Sequence, residues 1–245
     1  MPNRYLVANW KMNVPPEGID RFLDAMNDAD VVVAPPFVYL NDVAARGVAV
    51  GAQNCADQQS GAFTGEVSAD MLRDCGARFV IVGHSERRNI YGEDDALVAR
   101  KLSLAIESGL TPILCIGENQ QQRDAGLERT FCSSQLRAAT VPQLESDAEV
   151  IVAYEPIWAI GTGRNATGAM VAEIVGHIRD AIDRFWPAGR AARTPVLYGG
   201  SVTPDNVDDL IAHGGIDGFL VGGASLDSQK FLALAEAMKK LPTQP

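Results

Sequence analysis

Three ionisable side chains each follow a short apolar run. Lys11 comes after Y-L-V-A-N-W, His84 after F-V-I-V-G, and Glu155 after V-I-V-A-Y. A carboxylate at the end of a buried strand is a candidate base. Glu155 is followed by P-I-W-A-I-G-T-G, where Pro156 stiffens a segment carrying Ile157, Trp158, Ala159 and Ile160 toward Gly161. That much apolar surface would be anomalous if exposed, so it reads as a cover for the base. A loop packed permanently on its scaffold is the plainer alternative. His84 lies in G-H-S-E-R-R at 83–88, with Ser85 a candidate N-cap. The positive end of a helix disfavours imidazolium and leaves a neutral ring that donates to a substrate oxygen. A purely structural histidine would look the same. Lys11 is either a solvated surface lysine or an ammonium fixed to face a phosphate or a developing oxyanion.

Two glycine pairs extend this set: Y-G-G-S at 198–201 and V-G-G-A-S at 221–225. Glycine lets backbone N–H groups approach a ligand closely, and a helix start just beyond adds a positive end for an anion. One such pair is equally the mark of a tight turn. Two in succession, with Gly161 in the cover, point to a phosphorylated substrate. The segment Q-Q-S-G-A-F-T-G-E at 58–66 belongs to a long connection of the kind that is often functional. Phe63 at its tip indicates insertion into a partner subunit, with a self-packed surface loop as the alternative.

The elements that must hold these residues form an alternating series. Apolar runs occur at 5–8, 31–34, 48–52, 79–82, 112–116, 150–154, 195–198 and 218–221. Their nearly unbroken apolar character suits strands covered on both faces, hence a parallel sheet. Helical patterns lie between them, at 96–106, 170–182, 205–210 and 228–238 among others. Eight such units of about 30 residues each fit a single-domain α/β fold, a (β/α)8 barrel over residues 1–245. The rival is a doubly wound open sheet. That fold normally carries G-x-G-x-x-G after its first strand, where this chain has N-W-K. In the barrel, catalytic groups come just after the strand C-termini, which is where Lys11, His84 and Glu155 stand.

Composition narrows the partners. The formal net charge is −10, which argues against nucleic acid or an anionic membrane. No apolar stretch approaches the ~18 residues of a membrane span, and the N-terminus lacks a signal-peptide pattern. A soluble, cytoplasmic protein is expected. Cys55, Cys75, Cys115 and Cys132 form no C-x-x-C pair and read as buried free thiols; with His84, His177 and His213 dispersed, no metal is expected.

Taken together the junctions resemble the triosephosphate isomerase family. The likeness runs through N-W-K-M-N (9–13), A-Q-N (52–54), G-A-F-T-G-E (61–66), V-G-H-S-E-R-R (82–88) and C-I-G-E (115–118). It continues in A-Y-E-P-I-W-A-I-G-T-G (153–163), Y-G-G-S-V (198–202) and V-G-G-A-S-L (221–226). The resemblance implies interconversion of D-glyceraldehyde 3-phosphate and dihydroxyacetone phosphate through an enediolate, in glycolysis and gluconeogenesis, without a cofactor. It further implies Glu155 as base, His84 as electrophile, and Lys11 and Asn9 as oxyanion partners. Gly161, Ser201, Gly222 and Gly223 would bind phosphate, and residues 156–166 would form a lid latched by Tyr198 and Ser201. Segment 58–66 would enter the neighbour in a homodimer, bringing Thr64 near the partner's Asn9 and His84. The chain departs from the family pattern in the lid's R-N-A hinge at 164–166, in Ile157 where Val is common, and in a compact V-P-P-E-G at 14–18. On the same barrel, a ribulose-phosphate epimerase would need metal-ligating His and Asp at strand ends, and a Schiff-base aldolase a lysine where Glu155 stands. A sugar-phosphate-binding scaffold is expected to have lost Glu155, His84 or Lys11.

Overall fold

The computed structural model describes residues 3–27, 29–160 and 166–240. Its strands are β1 (Tyr5–Asn9), β2 (Val32–Ala34), β3 (Ala49–Ala52), β4 (Phe79–Val82), β5 (Thr111–Ile116), β6 (Ile151–Tyr154), β7 (Val196–Tyr198) and β8 (Gly218–Val221). All pairings are parallel and run in chain order, and β8 returns to pair with β1 through Leu6↔Phe219 and Ala8↔Val221. That closure makes the molecule a (β/α)8 barrel and excludes the open doubly wound sheet.

Alternation along the strands builds two apolar layers. Val7, Val32, Ile81, Ile113, Cys115, Ile151, Ala153 and Leu197 belong to a cluster made only of strand residues, the filled barrel interior. Their neighbours Leu6, Ala8, Val80, Val82, Leu114, Ile116, Val152 and Tyr154 face outward into a second cluster shared with the helices. Both faces being covered explains the unbroken apolar runs in the sequence.

The helices bury single stripes against that outer layer. The longest, Gly168–Phe185, buries Val171, Ile174, Val175, Ile178, Ala181 and Ile182, and the Thr167 side chain caps it by accepting the Met170 N–H. The helix expected at 205–210 spans Val207–His213 instead. Its start is delayed because the Asn206 side chain first closes a turn by accepting the Thr203 N–H at 2.9 Å.

Cys55, Cys115 and Cys132 are buried free thiols. Cys75 departs from expectation: it is half-buried, because it caps the C-terminus of the short helix Ala69–Asp74 where solvent reaches it. Among the described residues, no helix is long and apolar enough to cross a membrane.

Candidate active site

Glu155 sits one step beyond β6, in phase with the inward-facing Ile151 and Ala153, so strand geometry alone aims it at the barrel mouth. Its N–H extends the ladder to the Ile116 carbonyl at 2.7 Å. Two glycines make room for it. A Cβ on Gly117 would lie 1.8 Å from the Glu155 carbonyl oxygen, and one on Gly199 would lie 2.9 Å from Glu155 Cγ. Glu155 is only 2% exposed. One carboxylate oxygen accepts the Ser85 N–H at 2.9 Å, and the other lies 3.0 Å from His84 Nε2.

His84 enters from β4. The next helix, Ser85–Tyr91, is capped by His84 itself and not by Ser85, which is its first helical residue. The reason is the ring: Nδ1 accepts the Glu86 N–H at 3.2 Å, satisfying one of the donors a helix leaves open at its start. This bond places the proton of the neutral imidazole on Nε2. Arg88 braces the turn, donating to the Gly83 carbonyl at 2.7 Å and pairing with Asp95 at 2.5 Å.

Lys11 lies just past β1 in an uncommon conformation. Its φ is +54°, and it is the one non-glycine residue with positive φ among those described. The surroundings hold it there: Asn9 Oδ1 accepts the Lys11 N–H at 3.0 Å, and Gln53 Nε2 donates to the Lys11 carbonyl at 2.8 Å. The bend carries the ammonium to Glu86, 2.7 Å away, with its chain running over Gly222, where an added Cβ would lie 3.2 Å from Lys11 Cε.

Charge and burial oppose one another at the centre. Burial works against charge on His84, but Glu155, and more weakly Glu86, favour it and hold the imidazole above its ordinary value. Burial likewise raises the Glu155 carboxyl, yet His84, the Ser85 N–H and Lys11 together outweigh it and hold Glu155 below the usual carboxylate value. Glu155 is therefore an ionised carboxylate at neutral pH despite its burial.

Asn9, Lys11, His84, Glu155, Ser201, Gly222 and Gly223 all line one cavity of about 260 Å³. Gly161 lies outside the described residues. The two glycine pairs lead into different backbone. Gly222-Gly223 opens directly into the short helical turn Gly223–Leu226, folded back by Ser225, whose N–H and hydroxyl both bond to the Gly222 carbonyl. Gly199-Gly200 enters an irregular stretch and a turn at 204–206 before its helix.

The segment expected to cover the base is described as far as Ile160. Ile157–Ala159 forms one helical turn in which Trp158 is half-buried, not an exposed patch. The indole N–H donates to Glu118 at 2.7 Å, the same oxygen that accepts the Tyr154 hydroxyl at 3.0 Å. The Tyr198 hydroxyl is buried against Gly200, forms no well-shaped hydrogen bond among the described residues, and feels the Ala166 N–H at the far end of the segment. Sequence reasoning gave no role to Glu86 or Glu118. Glu86 carried a signal, standing two residues after His84 on a helix start; the C-I-G-E run offered nothing that tied Glu118 to Trp158.

The sequence profile of a family described as triosephosphate isomerase matches residues 4–238. A triosephosphate isomerase of Taenia solium is 45% identical over 233 residues, covering 91% of this chain and 93% of that protein. One from Rubrobacter xylanophilus is 44% identical over 247 residues, covering 96% of each. One from Chloroflexus aurantiacus is 48% identical over 218 residues, covering 86% of this chain and 87% of its own.

Proposed function

The chain belongs to the triosephosphate isomerase family and interconverts triose phosphates, and from that premise we propose that Glu155 is the base that moves the proton between the two carbons of the substrate. The observation that carries this reading is the meeting of an ionised carboxylate, an imidazole and an ammonium with two glycine loops on one small cavity.

A proton beside a carbonyl is too weakly acidic for a carboxylate to remove quickly unless the growing oxyanion meets donors already in place. The Glu155 carboxylate takes that proton from D-glyceraldehyde 3-phosphate or dihydroxyacetone phosphate as the electron pair moves to oxygen. It then returns the proton to the adjacent carbon, passing through an enediolate, while His84 gives a proton to the oxygen that began as the carbonyl and takes one from the neighbouring hydroxyl, which becomes the new carbonyl. His84 donates through Nε2, Lys11 contributes its ammonium, and Asn9, whose Oδ1 is engaged by the Lys11 N–H, contributes its amide NH₂. Proton in and proton out balance, so no cofactor is required.

Glu155 is parked in the resting arrangement, held by Ser85 and His84. When the carboxylate turns to substrate, the main cause that raises the His84 value goes with it and only the weaker pull of Glu86 is left. Burial and the helix N-terminus remain, and both favour the neutral ring. The backbone around Gly161, Ser201, Gly222 and Gly223 holds the phosphate. Residues 156–166 close over it, with Tyr198 and Ser201 as the latch. Closure protects the enediolate, which loses phosphate by elimination when water and solvent motion reach it.

The assembly is a homodimer formed through segment 58–66. Support comes from the exposure of every residue from Gln58 to Glu66, with Phe63 at the tip. Support also comes from a neighbouring cavity of about 250 Å³ lined by Lys11, Phe37, Gln53, Glu86 and Tyr91. Met12, Val38, Ile90 and Tyr91 leave an apolar surface for a second copy. Nucleic acid and membranes are not partners, and a glycolytic reaction belongs in the cytoplasm. The deciding experiment is a coupled assay that supplies glyceraldehyde 3-phosphate and reports dihydroxyacetone phosphate by NADH oxidation through glycerol-3-phosphate dehydrogenase. Turnover lowered roughly 10²- to 10⁴-fold by Glu155→Gln is expected; no turnover by the unmodified protein would overturn the reading.

A further inference from the structure

The compact V-P-P-E-G segment after β1 ends in a tight turn. The Gly18 N–H closes on the Pro15 carbonyl at 2.8 Å, with Pro16 setting the first central position and Glu17 occupying the second. From this turn the Glu17 carboxylate reaches across the chain and accepts the backbone N–H of Ser228 at 3.0 Å. Ser228 is the first residue of the helix Ser228–Met238, whose N-cap Asp227 accepts the Lys230 N–H. Two of the donors left open at that helix start are thus filled, one locally by Asp227 and one from a distant loop by Glu17.

The position of this contact is what gives it a consequence. The helical turn Gly223–Leu226 ends one residue before Asp227, so its far end is fixed by whatever fixes the helix start. Its near end is fixed by Ser225 on Gly222. The Glu17 turn is itself anchored. Trp10 packs edge-on against Phe22 with ring centroids 5.2 Å apart, and Phe22 meets Phe231 of the same helix at 5.9 Å. Loops from the neighbouring strands β1 and β8 are therefore tied together at the rim by a charge-assisted hydrogen bond.

We propose that Glu17 is a positioning residue: by holding the Ser228 N–H it sets the placement of the Gly222–Leu226 turn and so its fit to phosphate. The proposal rests on the reading of that turn as part of the phosphate site. It predicts opposite outcomes for two variants. Glu17→Gln keeps an acceptor oxygen and removes a negative charge near an anion site, so affinity for phosphate is retained or improves. Glu17→Ala removes the acceptor, and affinity falls although the same charge is gone.

The test uses the full-length protein and three variants: Glu17→Ala, Glu17→Gln and Gly223→Asp. The last places a carboxylate where an added Cβ meets nothing within 4 Å, so it folds while repelling an anion. The readouts are KM and kcat for glyceraldehyde 3-phosphate, KI for inorganic phosphate as competitor, and kcat/KM for unphosphorylated D-glyceraldehyde. For Glu17→Ala, KM and KI are expected to rise together by about fivefold, the net worth of one ordinary hydrogen bond, because solvent reaches the exposed Glu17 carboxylate. Activity on D-glyceraldehyde stays level, and Glu17→Gln restores the phosphate affinity. If Glu17→Ala lowers Tm but leaves KI unchanged, or if Gln and Ala behave alike, the Glu17 proposal is overturned while Gly223→Asp still weakens phosphate. If Gly223→Asp also leaves KI unchanged, the phosphate reading of the turn falls, and the Glu17 proposal with it.

Discussion

Glu155→Gln removes basicity while preserving shape. The glutamine oxygen still accepts the Ser85 N–H, which lies 2.9 Å from the carboxylate oxygen it replaces, and the side-chain volume is nearly unchanged. What is lost is the proton acceptor. A positioned base is worth roughly 10²- to 10⁴-fold in rate, or about 3–5 kcal/mol of barrier at ~1.36 kcal/mol per decade. The expected outcome is a kcat lowered by that factor, with KM within about threefold because the proposed phosphate contacts lie elsewhere. Two measurements check it: the coupled assay for isomerisation, and proton NMR in deuterated water for exchange at the substrate carbon. Both should fall together, since one group performs both steps. A kcat within tenfold of the unmodified protein would refute the assignment. Exchange that persists at its original rate while isomerisation stops would do so too, because another group would then be taking the proton.

The same variant should lower the titration midpoint of His84 followed by imidazole NMR. The carboxylate that raises it is gone while burial, which lowers it, stays; an unchanged or higher midpoint contradicts the pairing. The pair also sets a pH window for stability. Glu155 is held below its unfolded value of about 4.3, so its contribution is complete above that pH and is lost as pH falls through the lower folded-state value. Urea unfolding of the unmodified protein against Glu155→Gln should show the difference shrinking on the acid side, and a difference that grows there would contradict it. Deleting Ile157–Ile160 should raise phosphate elimination relative to isomerisation, read as inorganic phosphate released per turnover; an unchanged ratio removes the lid from the mechanism. Phe63→Arg should convert the proposed dimer into a species sedimenting near the 26.2 kDa of one chain, and an unmodified protein that already sediments as one chain ends the dimer proposal.

How much of this was legible in the sequence depends on which forces are local. Strand positions were readable to within one residue because burial on both faces leaves no polar position to interrupt the runs. The rim residues were readable for a related reason: an ionisable side chain directly after such a run has left the interior and stands at the mouth. Boundaries decided by a single side-chain bond were not. The ring of His84 displaced Ser85 as cap, and Asn206 delayed a helix, because each depends on where one oxygen or nitrogen points and not on any periodicity.

Contacts between loops were the least legible, and they matter most to the chemistry. Nothing in N-W-K-M-N announces that Lys11 adopts φ +54°, a conformation that rests on Gln53, 42 residues away, donating to both the Lys11 and Ala34 carbonyls. Nor does C-I-G-E announce that Glu118 receives both Tyr154 and Trp158. In a closed barrel, residues remote in sequence become neighbours at one rim, so their pairing is decided by registry around the ring. The glycines record that registry in negative. Gly117 and Gly199 lie in different loops, yet each is small because Glu155 occupies the space its side chain would need. A glycine that looks like an ordinary turn in the sequence is here the imprint of Glu155 on the strand beside it, and replacing Gly199 by alanine should displace Glu155 and depress kcat without touching an ionisable group.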